Sequence, residues 1–146
     1  MNTSGAVDSR LIVGPGTYNR VACDWDNTQT DTFGILDDSG SFGSLTGGIW
    51  TITNRLMNSE YIYDDASSFQ FGAPGDRAIC GNWDGTNSSA RDSIGVFRPS
   101  TATFYLRNSN SAGPVDIGFQ WGATGDVPIV GDWDGNGGES IGVIRF

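Results

Sequence analysis

Apolar and polar residues alternate along this chain in short stretches. Gly48-Ile49-Trp50-Thr51-Ile52-Thr53 and Thr103-Phe104-Tyr105-Leu106-Arg107 put aromatic and aliphatic side chains at every second position, the pattern of a half-buried strand. Such stretches are bounded throughout by Gly, Pro, Asn, Asp and Ser, the residues that end strands and make turns. No window carries apolar residues at helical spacing, and no segment is capped as a helix. The pattern predicts an all-β protein.

The strands recur. Phe69-Gln70-Phe71-Gly72-Ala73-Pro74-Gly75-Asp76 returns 50 residues later as Phe119-Gln120-Trp121-Gly122-Ala123-Thr124-Gly125-Asp126. Ile79-Cys80-Gly81-Asn82-Trp83-Asp84-Gly85 returns as Ile129-Val130-Gly131-Asp132-Trp133-Asp134-Gly135 in the same register. Asp92-Ser93-Ile94-Gly95-Val96-Phe97-Arg98 returns as Glu139-Ser140-Ile141-Gly142-Val143-Ile144-Arg145 at a shift of 47, because the earlier loop is longer. A more divergent copy lies upstream in Val13-Gly14, Val21-Ala22-Cys23-Asp24-Trp25-Asp26 and Asp31-Thr32-Phe33-Gly34-Ile35. Periods of this size mark stacked or radial repeat architectures. Four short strands per unit is the arithmetic of a propeller blade.

The Phe71-to-Asp76 segment, the three Trp-Asp turns and the Ser-Ile-Gly-Val strands resemble the FG-GAP/VCBS-type β-propeller repeats of integrin α-chains and bacterial surface proteins. The resemblance covers about residues 11 to 146. It implies that each acidic turn joins the innermost strand of a blade to the second. The chain then reads as a single repeat domain, 1–146: an outer strand at 10–14, whole blades at about 20–72 and 77–122, and a partial blade at 127–146, eleven strands in all. Propellers close with four to eight blades, and open sheet edges are a liability that proteins avoid. Either the N-terminal strand pairs with the C-terminal partial blade, or several chains share one assembly, for example as two copies in a six-bladed ring. The expected partner is therefore a second copy or another protein that completes the open blades.

Charge narrows the chemistry. Seventeen acidic residues face eight basic ones, all Arg, for a net charge of −9. Such a surface repels phosphate backbones, so no nucleic-acid partner is expected. With no His and no Lys, His-based proton transfer, Ser–His nucleophiles, Lys Schiff bases and His-ligated zinc are excluded. No apolar run reaches the length of a membrane helix, and the first residues carry no signal-peptide pattern.

The acidic turns are the richest candidates. Calcium takes six to eight oxygens from alternate positions of a glycine-containing loop. In the last turn Asp132, Asp134 and Asn136 stand at such positions, with a Gly138 carbonyl and the Glu139 carboxylate to follow; the resemblance implies calcium as well. The loop departs from the common pattern, which closes on an acid where this chain has Ser140. The first turn offers Asp24, Asp26 and Asp31 but has no glycine, and Thr28 takes the fifth place. The middle one begins with Asn82, keeps Asp84 and ends at Asp92. Asx-type turns, whose side chains bond their own backbone, are the alternative.

Trp25, Trp83 and Trp133, each between acids or amides, are candidate ligand-binding platforms for sugar rings, or else cap the cores of their blades. Recurrence in every repeat favours packing. The pairs Asp37-Asp38 and Asp64-Asp65 are the minimum for a glycosidase and read better as solvated turns. The insertion 39–48 and the segment 57–63 are candidate contact loops, and Asn2-Thr3-Ser4 and Asn87-Ser88-Ser89 match the glycosylation sequon. Cys23 aligns with Gly81 and Cys80 with Val130, one residue out of register on neighbouring inner strands, which favours two buried thiols over a bridge.

The leading expectation is a non-enzymatic structural and interaction module of a surface assembly, a virion decoration or a cell-envelope protein. Its location would be the virion, or extracellular at a cell surface, against a capsid or envelope. A glycan-binding propeller is the alternative, and a carboxylate glycosidase ranks last.

Overall fold

A computed structural model describes residues 18–38, 47–55, 66–85 and 91–146. Among these the chain is all-β, with ten strands and no helix. Strands β1 (Tyr18–Cys23), β2 (Thr32–Asp37), β3 (Ile49–Ile52) and β4 (Ser67–Gln70) form an antiparallel sheet in sequence order. Strands β5 (Arg77–Gly81), β6 (Ser93–Arg98), β7 (Thr103–Leu106) and β8 (Ile117–Gln120) form a second in the same order. Strands β9 (Val127–Gly131) and β10 (Ser140–Ile144) make a two-stranded third. The expected strand at 10–14 lies outside the described residues, as do Asp64-Asp65, 39–46, 57–63 and both sequons.

Register follows from the alternation. In β5 and β6, Cys80 pairs with Ile94 and Arg77 with Phe97, so successive residues face opposite sides of the sheet. One side carries Cys80, Ile94 and Val96 into a core with Cys23, Trp25, Leu36, Trp50 and Phe71 of the first repeat. The other carries Ile79, Phe97, Phe104 and Leu106 into a second core, against which Val130, Ile141 and Val143 pack. The middle sheet is thus buried on both faces. Inner strands β1, β5 and β9 lie side by side in succession.

Phe97, Phe104 and Phe119 form a tilted and then a stacked pair, with centroids 4.6 and 5.3 Å apart. Arg107 organises the β7–β8 connection by donating to the carbonyls of Ser111 (2.8 Å) and Pro114 (2.6 Å).

The turns into β5 and β9 share one construction. Asp76 N–H donates to Ala73 O and Asp126 N–H to Ala123 O, both at 3.1 Å. Gly75 and Gly125 sit at φ +82° and +90°, the left-handed position that glycine supplies in a type II turn. The Asp76 carboxylate is fully buried; it accepts Ala73 N–H at 2.9 Å and two N–H groups of Arg98 at 2.8 and 2.9 Å. Asp126 repeats this with Ala123 and Arg145. The pairing lifts both guanidinium pKa values, and Arg145 holds the Asp126 carboxyl below its usual value. In the first repeat Tyr18 and Asp37 occupy these paired positions, so the clamp is absent there.

The preference for free thiols is corrected: Cys23 and Cys80 form a disulfide across the first junction, with Cα atoms 6.5 Å apart. The one-residue offset in alignment leaves the two positions within bridging range, since a bridge accepts Cα separations of about 4.4–6.8 Å.

Candidate functional site

The three acidic turns follow β1, β5 and β9 at one end of the sheets. The first and last have the same internal wiring. Asp24 accepts Thr28 N–H at 2.9 Å and Gln29 N–H at 2.7 Å through its two oxygens. Asp132 accepts Asn136 N–H at 3.1 Å and Gly137 N–H at 2.9 Å in the same way. Asp26 takes the Thr28 hydroxyl at 2.7 Å, as Asp134 takes the Asn136 amide at 2.9 Å. Lack of glycine in the first turn does not change its course. Asn27 and Gln29 adopt left-handed φ near +62° where the last turn has Gly135 and Gly137 at +72° and +87°. These are Asx-type turns in which the carboxylate replaces missing backbone partners. The N–H groups of Gly137, Gly135 and Asn136 lower the Asp132 pKa, that of Gly137 most.

The acids that close the turns go elsewhere. The Glu139 carboxylate accepts the backbone N–H of Asn82, in the preceding repeat, at 2.8 Å. Asp92, its counterpart one repeat earlier, accepts the N–H of Asp24 at 3.0 Å and returns its own N–H to Asp24 O at 2.7 Å. Each junction is therefore latched by an acid immediately before the second strand of one repeat, reaching the first turn residue of the repeat before it. Burial pushes the Asp92 carboxyl up to about 6; the bond from Asp24 opposes this, and the negative charges of Glu139, Asp24 and Asp31 add to it.

As a calcium site the last loop gathers Asp132, Asp134 and Asn136, and the third expected carboxylate, Glu139, reaches Asn82 instead. Gly138 donates its N–H to Asn136 Oδ1 at 2.8 Å. Asp84 is exposed, and Asp31, exposed at the end of the first turn, precedes β2. Among the described residues no group of three or more acids or cysteines converges as a metal site. The donors in place are fewer than the six to eight oxygens that calcium takes.

The three tryptophans form a graded series. Trp25 is buried (3% exposed), donates its indole N–H to Thr32 O at 3.2 Å and meets Trp50 edge-to-face. Trp83 is half-buried, lies over Gly81 and donates to Ile94 O at 3.0 Å. Trp133 lies over Gly131 in the same manner and is 59% exposed. In the first repeat Cys23 replaces that glycine, and Trp25 lies instead over Gly34. Burial thus falls along the series from the first junction to the last sheet.

The same gradient runs through the apolar residues. The described large hydrophobics that stay exposed are Val115, Phe119, Trp121, Trp133, Ile144 and Phe146, all in the last third of the chain. Their counterparts in the preceding repeat are covered: Phe71 for Trp121 and Phe97 for Ile144, at 5% and 0%. A groove of about 350 Å³ opens between the second and third sheets, where Trp83, Phe119 and Trp121 face Glu139 and Ile141. Of the pair Asp37-Asp38, Asp38 accepts the Asn19 amide at 3.3 Å and Asp37 ends β2.

Sequence reasoning missed two devices, the Asp–Arg clamp and the acid latch. Both leave a signal, since Asp76 with Arg98 recurs as Asp126 with Arg145, and Asp92 recurs as Glu139. In comparison with known proteins, no family model, curated protein or solved structure matches this chain.

Proposed function

We propose that this chain is a non-enzymatic structural and interaction module, built of FG-GAP/VCBS-type propeller blades, that works by docking its open end onto a partner in a surface assembly. The observation that carries the reading is the one-sided exposure of Trp121, Trp133 and Ile144, whose counterparts one repeat earlier are packed against the next sheet. Exposed apolar residues gathered in one region mark interaction surfaces. The blade reading is supported by two four-stranded sheets in sequential order, an inner strand pair, and first strands side by side.

The setting is a virion, or the extracellular side of a cell surface. The Cys23–Cys80 bridge fits it, because disulfides persist in oxidising compartments and on virion and cell surfaces. The glycan-binding alternative has one observation in its favour, the aromatic groove beside Glu139. It ranks second because the counterpart aromatics are core residues, so their placement needs no sugar to account for it.

Hydrogen exchange on dilute protein, with soluble glycans titrated against tryptophan fluorescence, separates the two. Fast exchange of the alternate β10 amides that face away from β9, and no glycan response, are expected. Protection of those edge amides in the isolated chain, or a saturable response to a sugar, would overturn the docking reading.

A further inference from the structure

The junction of the second and third sheets repeats that of the first and second as far as β10. Val96 lies 3.1 Å from where a Cβ on Gly72 would stand, and Val143 lies 3.2 Å from the same point on Gly122. Arg98 grips Asp76 as Arg145 grips Asp126. In the earlier junction β7 then pairs with β6 and sets Tyr105 opposite Val96. Tyr105 packs on the core that holds Phe71, and its ring centroid lies 4.7 Å from the Arg98 guanidinium. Among the described residues no strand pairs with β10 on the edge away from β9. The surroundings of that edge are uncovered to match: Trp121 is 59% exposed where Phe71 is 5%. A Cβ on Gly95 would meet Leu106 of β7 at 2.8 Å and Ile79 at 3.0 Å. Gly142 keeps the glycine and has Ile129 at 3.0 Å, with no described residue in the place of Leu106. On β6, Ile94 turns its N–H to Asn110 Oδ1 at 3.2 Å and its carbonyl to Arg107 N–H at 3.1 Å, both on the β7 side. Antiparallel alternation gives the same edge of β10 to the peptide groups of Ile141 and Val143.

We infer that β10 takes an extended segment of a partner protein as its antiparallel neighbour, with an aromatic residue opposite Val143 that covers Trp121 and meets the Arg145 guanidinium. This rests on the interaction-module reading and gives the chemistry of its partner. Strand addition draws affinity from main-chain bonds and specificity from alternate side chains. The segment closes the groove where Phe119, Trp121 and Ile141 meet, and the ring face gains a cation. Apolar residues opposite Gly142 and Ile144 complete the pattern that β7 shows opposite Gly95 and Phe97. With Glu139 in the groove and a net charge of −9 on the chain, the segment that fits is neutral or basic. The described strands of a second copy do not supply it. Both strands that carry the pattern, β3 and β7, are paired on both edges, and β10 against its own copy sets an aliphatic residue opposite Val143.

The probe is a synthetic peptide with the sequence of residues 101–120, which spans the chain's own β7 and β8 and contains no Trp. It is titrated against the full wild-type chain with the disulfide intact. A saturable blue shift of tryptophan emission is expected as Trp121 is covered, with hydrogen-exchange protection gained at Ile141 and Val143. Tyr105→Phe in the peptide binds equally well, and Tyr105→Ala binds about tenfold more weakly, the worth of one buried aromatic contact. N-methylation of the peptide at Tyr105 keeps the ring, removes the N–H that β7 turns toward β6, and abolishes binding. Every change is made in the peptide, so the fold of the chain is never at stake. No saturable shift at millimolar peptide, protection gained elsewhere than on β10, or an N-methylated peptide that binds like its parent overturns the inference. So does a wild type that self-associates in sedimentation and loses that association to the peptide. In each case fast exchange of the edge-facing β10 amides in the chain alone leaves the interaction-module reading standing, whereas their protection removes both.

Discussion

Replacing Asp92 by Asn isolates the electrostatics of a latch. In the folded chain the Asp92 carboxyl titrates at about 6 against an ordinary value of 3.8, raised by burial and by the charges of Glu139, Asp24 and Asp31. A carboxyl with a raised pKa opposes folding wherever it must be ionised. Above pH 6 the folded state carries that cost. As pH falls through 6 the folded state takes up a proton that the unfolded state does not bind until about 3.8, so stability rises across this window. At full strength the shift is worth about 3 kcal/mol. Solvent screening at a half-buried site reduces it to roughly 1 kcal/mol, or about 3 °C in melting temperature. The assay is urea unfolding at pH 7.5 and pH 5, on dilute protein with the disulfide intact. Wild type should be the more stable at pH 5. Asp92→Asn keeps an oxygen to accept the Asp24 N–H and removes the charge. It should gain about 1 kcal/mol at pH 7.5 and lose the difference between the two conditions. A wild type that weakens from pH 7.5 to 5, or an Asn variant with an unchanged pH slope, refutes the reasoning. Below 3.8 the sign reverses. Asp126 and Asp132 have lowered pKa values, and the stability they contribute is lost as pH falls through them.

Other perturbations probe the remaining ties. Reducing the Cys23–Cys80 bridge, or replacing both residues by Ser, should cost about 2–4 kcal/mol, read from urea midpoints with and without reductant; unchanged midpoints would refute the bridge. Arg98→Ala strands the buried Asp76 carboxylate and should cost about 3 kcal/mol, with a smaller loss for Arg145→Ala, whose guanidinium is 66% exposed; calorimetry of both gives the order. Gly81→Ala places a Cβ 2.9 Å from Glu139 Cβ and 3.0 Å from the Trp83 ring. It should lower stability by about 1–3 kcal/mol and shift the Trp83 emission.

Strand identity was legible because it rests on alternation and turn residues, which are local. Ile49-Trp50-Thr51-Ile52 and Thr103-Phe104-Tyr105-Leu106 announce their own pairing faces, and β3 and β7 fall on them. The repeats of Ser-Ile-Gly-Val likewise mark β6 and β10. What was not legible is relational. Nothing local in Glu139 tells whether its carboxylate closes its own loop or reaches Asn82, because either choice satisfies the same acid at the same spacing. The thiols of Cys23 and Cys80 pose the same difficulty, since an alignment offset of one residue does not fix how neighbouring sheets are displaced. The Asp–Arg clamp was open to inference from its repetition, because an acid before the first strand recurs in both repeats with an arginine at the end of the Ser-Ile-Gly-Val strand.

The fate of Glu139 and Asp92 bears on why these loops take the form they do. A closing acid that completes a metal loop turns inward, whereas a latch has it reach the neighbouring repeat. In both junctions the acid points to the neighbour, and in the first and last turns Asp24 and Asp132 hold the loop by accepting backbone N–H groups. The acid thereby ties one repeat to the next. The latch tolerates Asp or Glu because its target is a backbone N–H, present whatever the side chain at Asp24 or Asn82. Such a contact can be repeated by any unit with the same turn.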